Sequence, residues 1–105
     1  MGGFMQPQGH VQLLLNMIDF GMEPQRALDM PRFCIGGHEF GAAVSVEEGI
    51  PEETVQELVN KGHNAQLVSG HSRAVFGRGQ CIRRLPSGVL WAGSDGRADG
   101  MALGW

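Results

Sequence analysis

Two adjacent glycines, Gly2 and Gly3, are the residues of this chain whose type and position most clearly permit chemistry. Because glycine has no Cβ atom, its backbone groups can come close to a ligand or to another strand. A polar turn containing Pro7 and Gly9 follows, and then a long apolar segment over residues 11–20. The alternative is that the glycine pair is a flexible terminus without a chemical role, and for the isolated chain we favour this alternative.

Three polar residues, Gln6, Gln8 and His10, lie just before the apolar segment. They could line a pocket. Polar side chains at this position more often cap a helix by binding its first free N–H groups, so we expect the structural role.

The histidines and cysteines form no recognisable metal-binding pattern. The chain has four histidines, His10, His38, His63 and His71. None has metal-ligand spacing to another histidine or to a cysteine, so we expect no metal and no cofactor. Cys34 and Cys81 lack CxxC spacing, and we expect reduced, buried thiols. A disulfide and a cysteine–histidine nucleophile pair stay open as alternatives.

Two glycine-containing stretches resemble ligand-binding loops. Residues 94–97 have the sequence SDGR, but aspartate and glycine serve a tight turn equally well. Residues 76–80 have the sequence FGRGQ, which does not follow a phosphate-loop pattern. We therefore expect a structural turn at residues 94–97 and a bulged or closely approached strand at residues 76–80.

Length and composition indicate one globular domain over residues 1–105. The chain is 42% hydrophobic and 18% charged, with a net charge of −3 and no run of basic residues. Nucleic-acid binding needs clustered lysine and arginine and is not expected. No apolar stretch reaches the roughly 20 residues of a membrane-spanning helix. A signal peptide is not recognisable, which favours the cytoplasm for the chain as given without deciding the compartment.

The hydrophobic spacing predicts a mixed helix and sheet protein. Residues 8–21 form a predicted helix, with apolar residues nearly all round it, and such a helix should be buried between layers. Shorter helices are predicted at residues 23–29 and from residues 49–53 to Gly62. The predicted strands comprise residues 32–35, 39–47, 65–68, 74–85, 89–92 and 101–105, with a loop at 69–73 and a hairpin turn at 86–88. The expected class is α+β, with a mixed and largely antiparallel sheet packed on a buried N-terminal helix.

Six stretches together resemble one family. They are MGGFMQPQGHVQ at residues 1–12, DFGM at 19–22, ALDMPRF at 27–33, EGIP at 48–51, FGRGQ at 76–80 and GSDGRADG at 93–100. In this order they are similar to the C-terminal part of the small subunit of the γ-glutamyltransferase (γ-glutamyltranspeptidase) family, which belongs to the N-terminal nucleophile hydrolases. The resemblance covers essentially the whole chain.

The resemblance implies a fold and a reaction. Members fold as an αββα sandwich, cleave themselves, and use the new N-terminal threonine of the small subunit as nucleophile to transfer or hydrolyse γ-glutamyl groups of glutathione-type amides. Gly2 and Gly3 match the glycine pair whose backbone N–H groups form the family's oxyanion hole. Such donors contribute about 2.7–4 kcal/mol each to a transition state. Asp95 and Arg97 match a loop near the chain end where structural hydrogen bonds are expected.

This chain departs from the family pattern in one important respect. Its only threonine, Thr54, lies in a predicted helix and does not resemble the nucleophile. We therefore expect a fragment or truncated member that is inactive alone and meets a γ-glutamyl substrate only in the complete enzyme.

A different class of function stays open as the alternative. The chain could be a non-catalytic domain that binds itself or a partner chain, because uncovered apolar surface and strand edges favour association. We expect either a homo-oligomer, with or without exchanged elements, or association with the missing part of the subunit.

Overall fold

The computed structural model describes residues 3–104 and contains two small sheets and four helical segments. Its elements, in chain order, are α1 (Met5–Ile18), α2 (Pro24–Asp29), β1 (Phe33–Ile35), β2 (Ala43–Glu47), α3 (Glu52–Asn60), β3 (Asn64–Val68), a 3-10 helix (Gly70–Phe76), β4 (Gln80–Arg84) and β5 (Leu90–Ser94). The prediction of a mixed helix and sheet protein is confirmed.

The first sheet has the strand order β1-β2-β3. Strand β1 runs antiparallel to β2, with Cys34 opposite Ser45, whereas β3 runs parallel to β2. Helix α3 connects the two parallel strands and packs against β3. The second sheet is the antiparallel hairpin β4-β5, closed by a turn in which Leu85 and Val89 are hydrogen-bonded. The predicted mixed and largely antiparallel pairing is confirmed, because β1-β2 and β4-β5 are antiparallel and β2-β3 is parallel, but the strands form two sheets rather than one.

Local sequence signals account for most helix ends. The side chain of Glu23 accepts hydrogen bonds from the N–H groups of Gln25 and Arg26 at 2.9 and 2.6 Å, and so caps α2. Helix α1 begins at Met5 rather than at residue 8. The predicted polar turn is instead helical, because Pro7 lies in the first turn, where no N–H donor is needed.

A small core lies between α2, β2, the 3-10 helix and the loop that follows β5. Its buried apolar residues are Ala27, Leu28, Cys34, Val46 and Phe76. Gly79 and Gly93 allow the hairpin to approach α2 closely: a Cβ atom at Gly79 would lie 2.5 Å from Leu28 Cδ2, and one at Gly93 would lie 2.9 Å from the backbone nitrogen of Gln25. The predicted close approach near residues 76–80 is confirmed.

The prediction that α1 is a buried helix is wrong for this chain. None of the residues of α1 is buried, and Val11 and Ile18 are 57% and 72% exposed. The core forms around the shorter α2 instead, and α1 contacts α2 and β1 along a narrow strip. A helix with apolar residues all round it is expected to pack against other elements on every side. Within residues 3–104, other elements pack against only one side of α1.

Two segments in the second half differ from their predictions. A 3-10 helix occupies residues 70–76, which shortens the predicted strand at 74–85 to Gln80–Arg84. Residues 101–104 form no strand, and residue 105 lies outside the described residues. None of the helices within residues 3–104 is long and apolar enough to cross a membrane.

Candidate functional site

Gly3, just before α1, has a backbone conformation that favours glycine. Gly3 has a φ of 91° and is exposed, and a Cβ atom added to it would meet no atom within 4 Å. Only glycine adopts this φ readily. Its carbonyl accepts a hydrogen bond from the N–H of Gln6 at 3.2 Å. Gly2 lies outside the described residues, so its assignment to an oxyanion hole stays a prediction, as does that of Gly3.

Two glutamines attach α1 to the outer edge of β1. The side-chain amide of Gln8 accepts from the N–H of Ile35 at 2.8 Å and donates to the Ile35 carbonyl at 3.1 Å. Gln12 makes the same pair of bonds with Phe33, both at 3.0 Å. The spacing fits because four helical residues rise about 6.0 Å and two strand residues about 6.6 Å. The two amides thus replace a neighbouring strand and satisfy the free edge of the sheet.

The predicted helix-capping role of Gln6, Gln8 and His10 is therefore wrong. No side chain caps α1. Gln6 and His10 instead line a cavity of about 330 Å³ between α1 and residues 75–80, together with Arg78 and Gln80. For these two residues the alternative that they face a pocket is the correct one. No local sequence signal identifies the contacts of Gln8, because they form only when β1 lies alongside α1.

An apolar groove of about 800 Å³ lies on the side of α1 that faces β1. We call it the α1 groove, and its apolar lining consists of Phe4, Pro7, Val11, Leu15, Phe33 and Ile35. The ring of Phe4 also packs against His38, with 4.7 Å between the ring centroids. An open apolar surface next to Gly3 is a place where further protein can bind.

Asp95 lies in the loop after β5 and belongs to a buried charge cluster that also contains Arg32, Glu47 and Arg97. One carboxylate oxygen of Asp95 accepts from Arg32 Nη1 at 2.9 Å and from the N–H of Gly79 at 2.8 Å. The other accepts from the N–H and the Nη1 of Arg97 at 3.0 and 2.9 Å. The predicted structural role of Asp95 and Arg97 is confirmed.

Glu47, at the end of β2, is the second carboxylate of the cluster. Its oxygens accept from Nε and Nη2 of Arg97, both at 2.6 Å, in a two-bond pair. Arg73 Nε donates to it at 2.7 Å, and the N–H of Arg32 at 2.9 Å. The side chain of Glu47 is fully buried. From the sequence, Glu47 is only the last residue of the predicted strand at 39–47 and was not singled out.

The two buried arginines also bind backbone carbonyls at the ends of α2 and of the 3-10 helix. Arg32 donates to the carbonyls of Leu28 and Phe76, and Arg97 donates to those of Leu28 and Met30. A helix end leaves carbonyls without partners, so these bonds satisfy groups that would otherwise be buried unpaired. The cluster therefore joins α2, β2, the 3-10 helix and the loop after β5.

Both buried carboxylates stay ionised at neutral pH. Burial raises the pKa of Glu47, but hydrogen bonds from Arg97 and Arg73 outweigh it, and the pKa lies below its ordinary value. Burial likewise opposes ionisation of Asp95, yet the N–H groups of Gly79 and Arg97 and the charge of Arg32 hold its pKa below the usual value. Groups that never change protonation near neutral pH are poor general acids or bases, so the charge cluster is structural.

Neither Cys34 nor Cys81 has surroundings that favour a catalytic thiolate. Cys34 is buried and Cys81 half-buried, and both thiols are free, as predicted. Burial raises the pKa of both thiols. This disfavours the thiolate that a cysteine nucleophile needs. No group of three or more metal-ligating side chains occurs among residues 3–104, and Thr54 is exposed on α3.

Comparison with known proteins gives one consistent result. A family model described as gamma-glutamyltranspeptidase matches residues 1–105. The chain is 34% identical to the glutathione hydrolase-like YwrD proenzyme of Bacillus subtilis, over 98% of this chain and 20% of that protein. It therefore spans about one fifth of the length of this relative.

Solved structures show the same similarity. The crystal structure of cephalosporin acylase from Bacillus halodurans matches the whole chain and 19% of its own, with 47% identity and a TM-score of 0.85. The transpeptidase CapD of Bacillus anthracis matches 99% of this chain and 60% of its own, with 24% identity and a TM-score of 0.77, and this second likeness shows the fold alone.

Proposed function

Because the chain belongs to the γ-glutamyltranspeptidase family of N-terminal nucleophile hydrolases, we propose that it is part of an enzyme that cleaves or transfers the γ-glutamyl group of glutathione-type amides. In this proposal it is the C-terminal part of the small subunit and contributes strands and helices to an αββα sandwich. The threonine nucleophile comes from outside residues 1–105, so the chain alone is inactive.

The backbone of Gly3 is the observation that supports this proposal. Attack of a hydroxyl on an amide carbonyl places a negative charge on the carbonyl oxygen, and N–H donors at Gly2 and Gly3 would stabilise that charge. Gly3 has a φ of 91° with open space around it. Because Gly3 is exposed, a substrate carbonyl could reach its backbone.

The position of the α1 groove fits the same proposal. Its apolar lining begins at Phe4, next to Gly3. Protein that covered this groove would also bring further residues beside the glycine pair. We propose that the remaining part of the subunit covers it and supplies the nucleophile.

A chimeric protein tests the proposed function. Residues 1–105 replace the matched segment of the Bacillus halodurans acylase, which is 47% identical to this chain. Two assays are used: release of p-nitroaniline from γ-glutamyl-p-nitroanilide, and release of the amine from a cephalosporin amide. We expect turnover of the γ-glutamyl substrate by the chimera and none by the purified chain alone. Because the acylase supplies about four fifths of the chimera, turnover of either substrate by the chimera but not by the purified chain supports the contribution of this chain to the active enzyme, and a folded chimera that turns over neither substrate would refute it.

The role of Gly3 is tested in the active chimera by Gly3→Ala. Alanine disfavours the φ of Gly3, so the N–H groups beside it rotate, and we expect kcat to fall about a hundredfold. Gly62 provides a matched control, because it has the same φ of 91° and equally open surroundings at the end of α3. Gly62→Ala should destabilise the protein to a similar extent, about 1–2 kcal/mol, and leave kcat unchanged. An equal fall of kcat in both variants would contradict the oxyanion assignment.

The exposed surface of α1 favours a second candidate function, a non-catalytic domain that associates with itself. Leu14 and Ile18 are more than half exposed, as is Val11. Two copies could cover each other's α1. Light scattering on the purified chain at micromolar concentration decides this point: a dimer supports self-association, and a monomer excludes it at that concentration.

A further inference from the structure

We propose that Gln8 is a positioning residue that holds the backbone around Gly3 in the orientation that the oxyanion hole requires. The inference rests on the proposed function and adds to it a residue that does not itself touch the substrate.

The side-chain amide of Gln8 uses both of its N–H donors on different parts of the chain. One donates to the Phe4 carbonyl at 2.8 Å, and the other to the Ile35 carbonyl at 3.1 Å. Its carbonyl oxygen accepts from the N–H of Ile35 at 2.8 Å. The amide thus links the residue next to Gly3 directly to the edge of β1.

This link adds a side-chain restraint to backbone next to the first turn of α1, where the Gly3 carbonyl also accepts from the N–H of Gln6. Gly3 is exposed, and glycine can rotate through conformations that other residues avoid. The carbonyl of Phe4 is fixed by Gln8, and its ring by the contact with His38. With both ends of Phe4 held, the preceding peptide group is restricted too. Oxyanion donors work because they are oriented before the reaction, so such a restraint affects the rate directly.

Gln12 is a natural control for this role. It makes the same two-bond pair with β1, at Phe33, but its remaining donor reaches the carbonyl of Gln8 within α1 rather than that of Phe4. It also lies one turn further along the helix, about 6 Å from Gln8. Loss of either glutamine frees the same kind of backbone groups on β1, but only the loss of Gln8 removes the side-chain bond to the Phe4 carbonyl.

The experiment compares Gln8→Ala with Gln12→Ala in the active chimera. We expect similar falls in melting temperature for the two variants. We also expect Gln8→Ala to lower kcat at least tenfold with KM nearly unchanged, since displacement of a catalytic group by about 1 Å can cost a hundredfold. Gln12→Ala should keep kcat within about threefold of the parent, because its contacts lie a turn away. If Gln8→Ala does not fold, Gln8→Glu serves instead: it keeps the acceptor for Ile35 and loses both donors.

A double variant separates positioning from general stabilisation. If Gln8 acts through Gly3, then Gln8→Ala should lower kcat much less in a Gly3→Ala background than in the parent. Independent, multiplying effects would refute the inference, and so would equal falls of kcat for Gln8→Ala and Gln12→Ala. Should Gly3→Ala keep full kcat, the oxyanion assignment itself fails and the positioning role with it. A low kcat in Gly3→Ala together with equal effects at positions 8 and 12 refutes only the role of Gln8.

Discussion

The charge cluster and the α1 groove differ in which side chains they bury and which they expose. In the charge cluster, charged side chains are buried, and every buried side-chain nitrogen and oxygen among the described residues has a partner. In the α1 groove, apolar side chains such as Val11 and Leu15 lie in the open. The charge cluster is satisfied by contacts within this chain, whereas the α1 groove leaves apolar side chains exposed.

This difference suggests that the charge cluster determines the stability of the fold, whereas the α1 groove and Gly3 determine activity or association. A buried ion pair contributes little net stability compared with apolar packing, but breaking it is costly. The charge cluster therefore specifies how α2, β2 and the hairpin are joined. The α1 groove and Gly3 contribute little to that framework, so substitutions there should alter activity or association while the fold persists.

The substitution Glu47→Gln is expected to have the largest effect, and it tests whether the charge cluster holds the fold together. The substitution leaves two arginines facing an uncharged amide in a fully buried position. Removing one partner of a buried ion pair costs about 3–5 kcal/mol. We expect the free energy of unfolding, measured by urea denaturation followed by circular dichroism, to fall by that amount or the chain to be unfolded.

The neighbouring residue provides the control. Glu48 has a side chain that is 43% exposed and pairs with Arg73 at 3.2 Å. Exposed ion pairs contribute about 0–1 kcal/mol, so Glu48→Gln should change the unfolding free energy by less than that. Equal effects at the two positions would show that the cluster is not the framework proposed above.

A second test uses pH and is expected to have an intermediate effect. The pKa values of Glu47 and Asp95 are lower in the folded chain than their ordinary values of 4.5 and 3.8. The stabilisation they provide is therefore complete above the ordinary values and is lost as pH falls through the folded-state pKa values. Urea midpoints measured between pH 7 and pH 2 should stay level at first and then decline below about pH 4.5. A folded Asp95→Asn variant should show a smaller decline, and an unchanged profile would contradict this origin of the acid sensitivity.

Sequence patterns predicted the parts of the fold that depend on neighbours along the chain. Helix starts marked by Pro24 and Glu23, the end of α3 at Gly62 and the 86–88 turn all depend on local chemistry. The family motifs added the structural role of Asp95 and Arg97. What failed depends on distant contacts. Periodicity assigns Glu47 to one face of a strand, but it does not show that Arg97, fifty residues later, will bury that face.

The same limit explains the two errors on α1. Gln8 and Gln12 can bind a strand edge only if β1 lies alongside them, which no local pattern specifies. The apolar circumference of α1 was recognised correctly. That pattern shows how much apolar surface the helix has. Whether this surface is buried depends on which other elements of the chain pack against it. The assignment of Gly3 comes from a family motif and stays a prediction, whereas the contacts of Gln8 could not be predicted because they depend on tertiary structure.

The substitution Val11→Ser is expected to have the smallest effect, and it tests whether the α1 groove is exposed in the isolated chain. Val11 lines the α1 groove and is 57% exposed, and valine and serine have similar helix propensities. In the isolated chain, the unfolding free energy should change by less than about 0.5 kcal/mol. In the chimera, where we propose that further protein covers the groove, the same substitution should cost more, about 1–3 kcal/mol, because it places a hydroxyl in an apolar contact. If the isolated chain is a dimer, Val11→Ser should also weaken it, as measured by light scattering across a concentration series. A large loss of stability in a monomeric isolated chain would contradict the comparison, because it would mean that α1 is already part of the core.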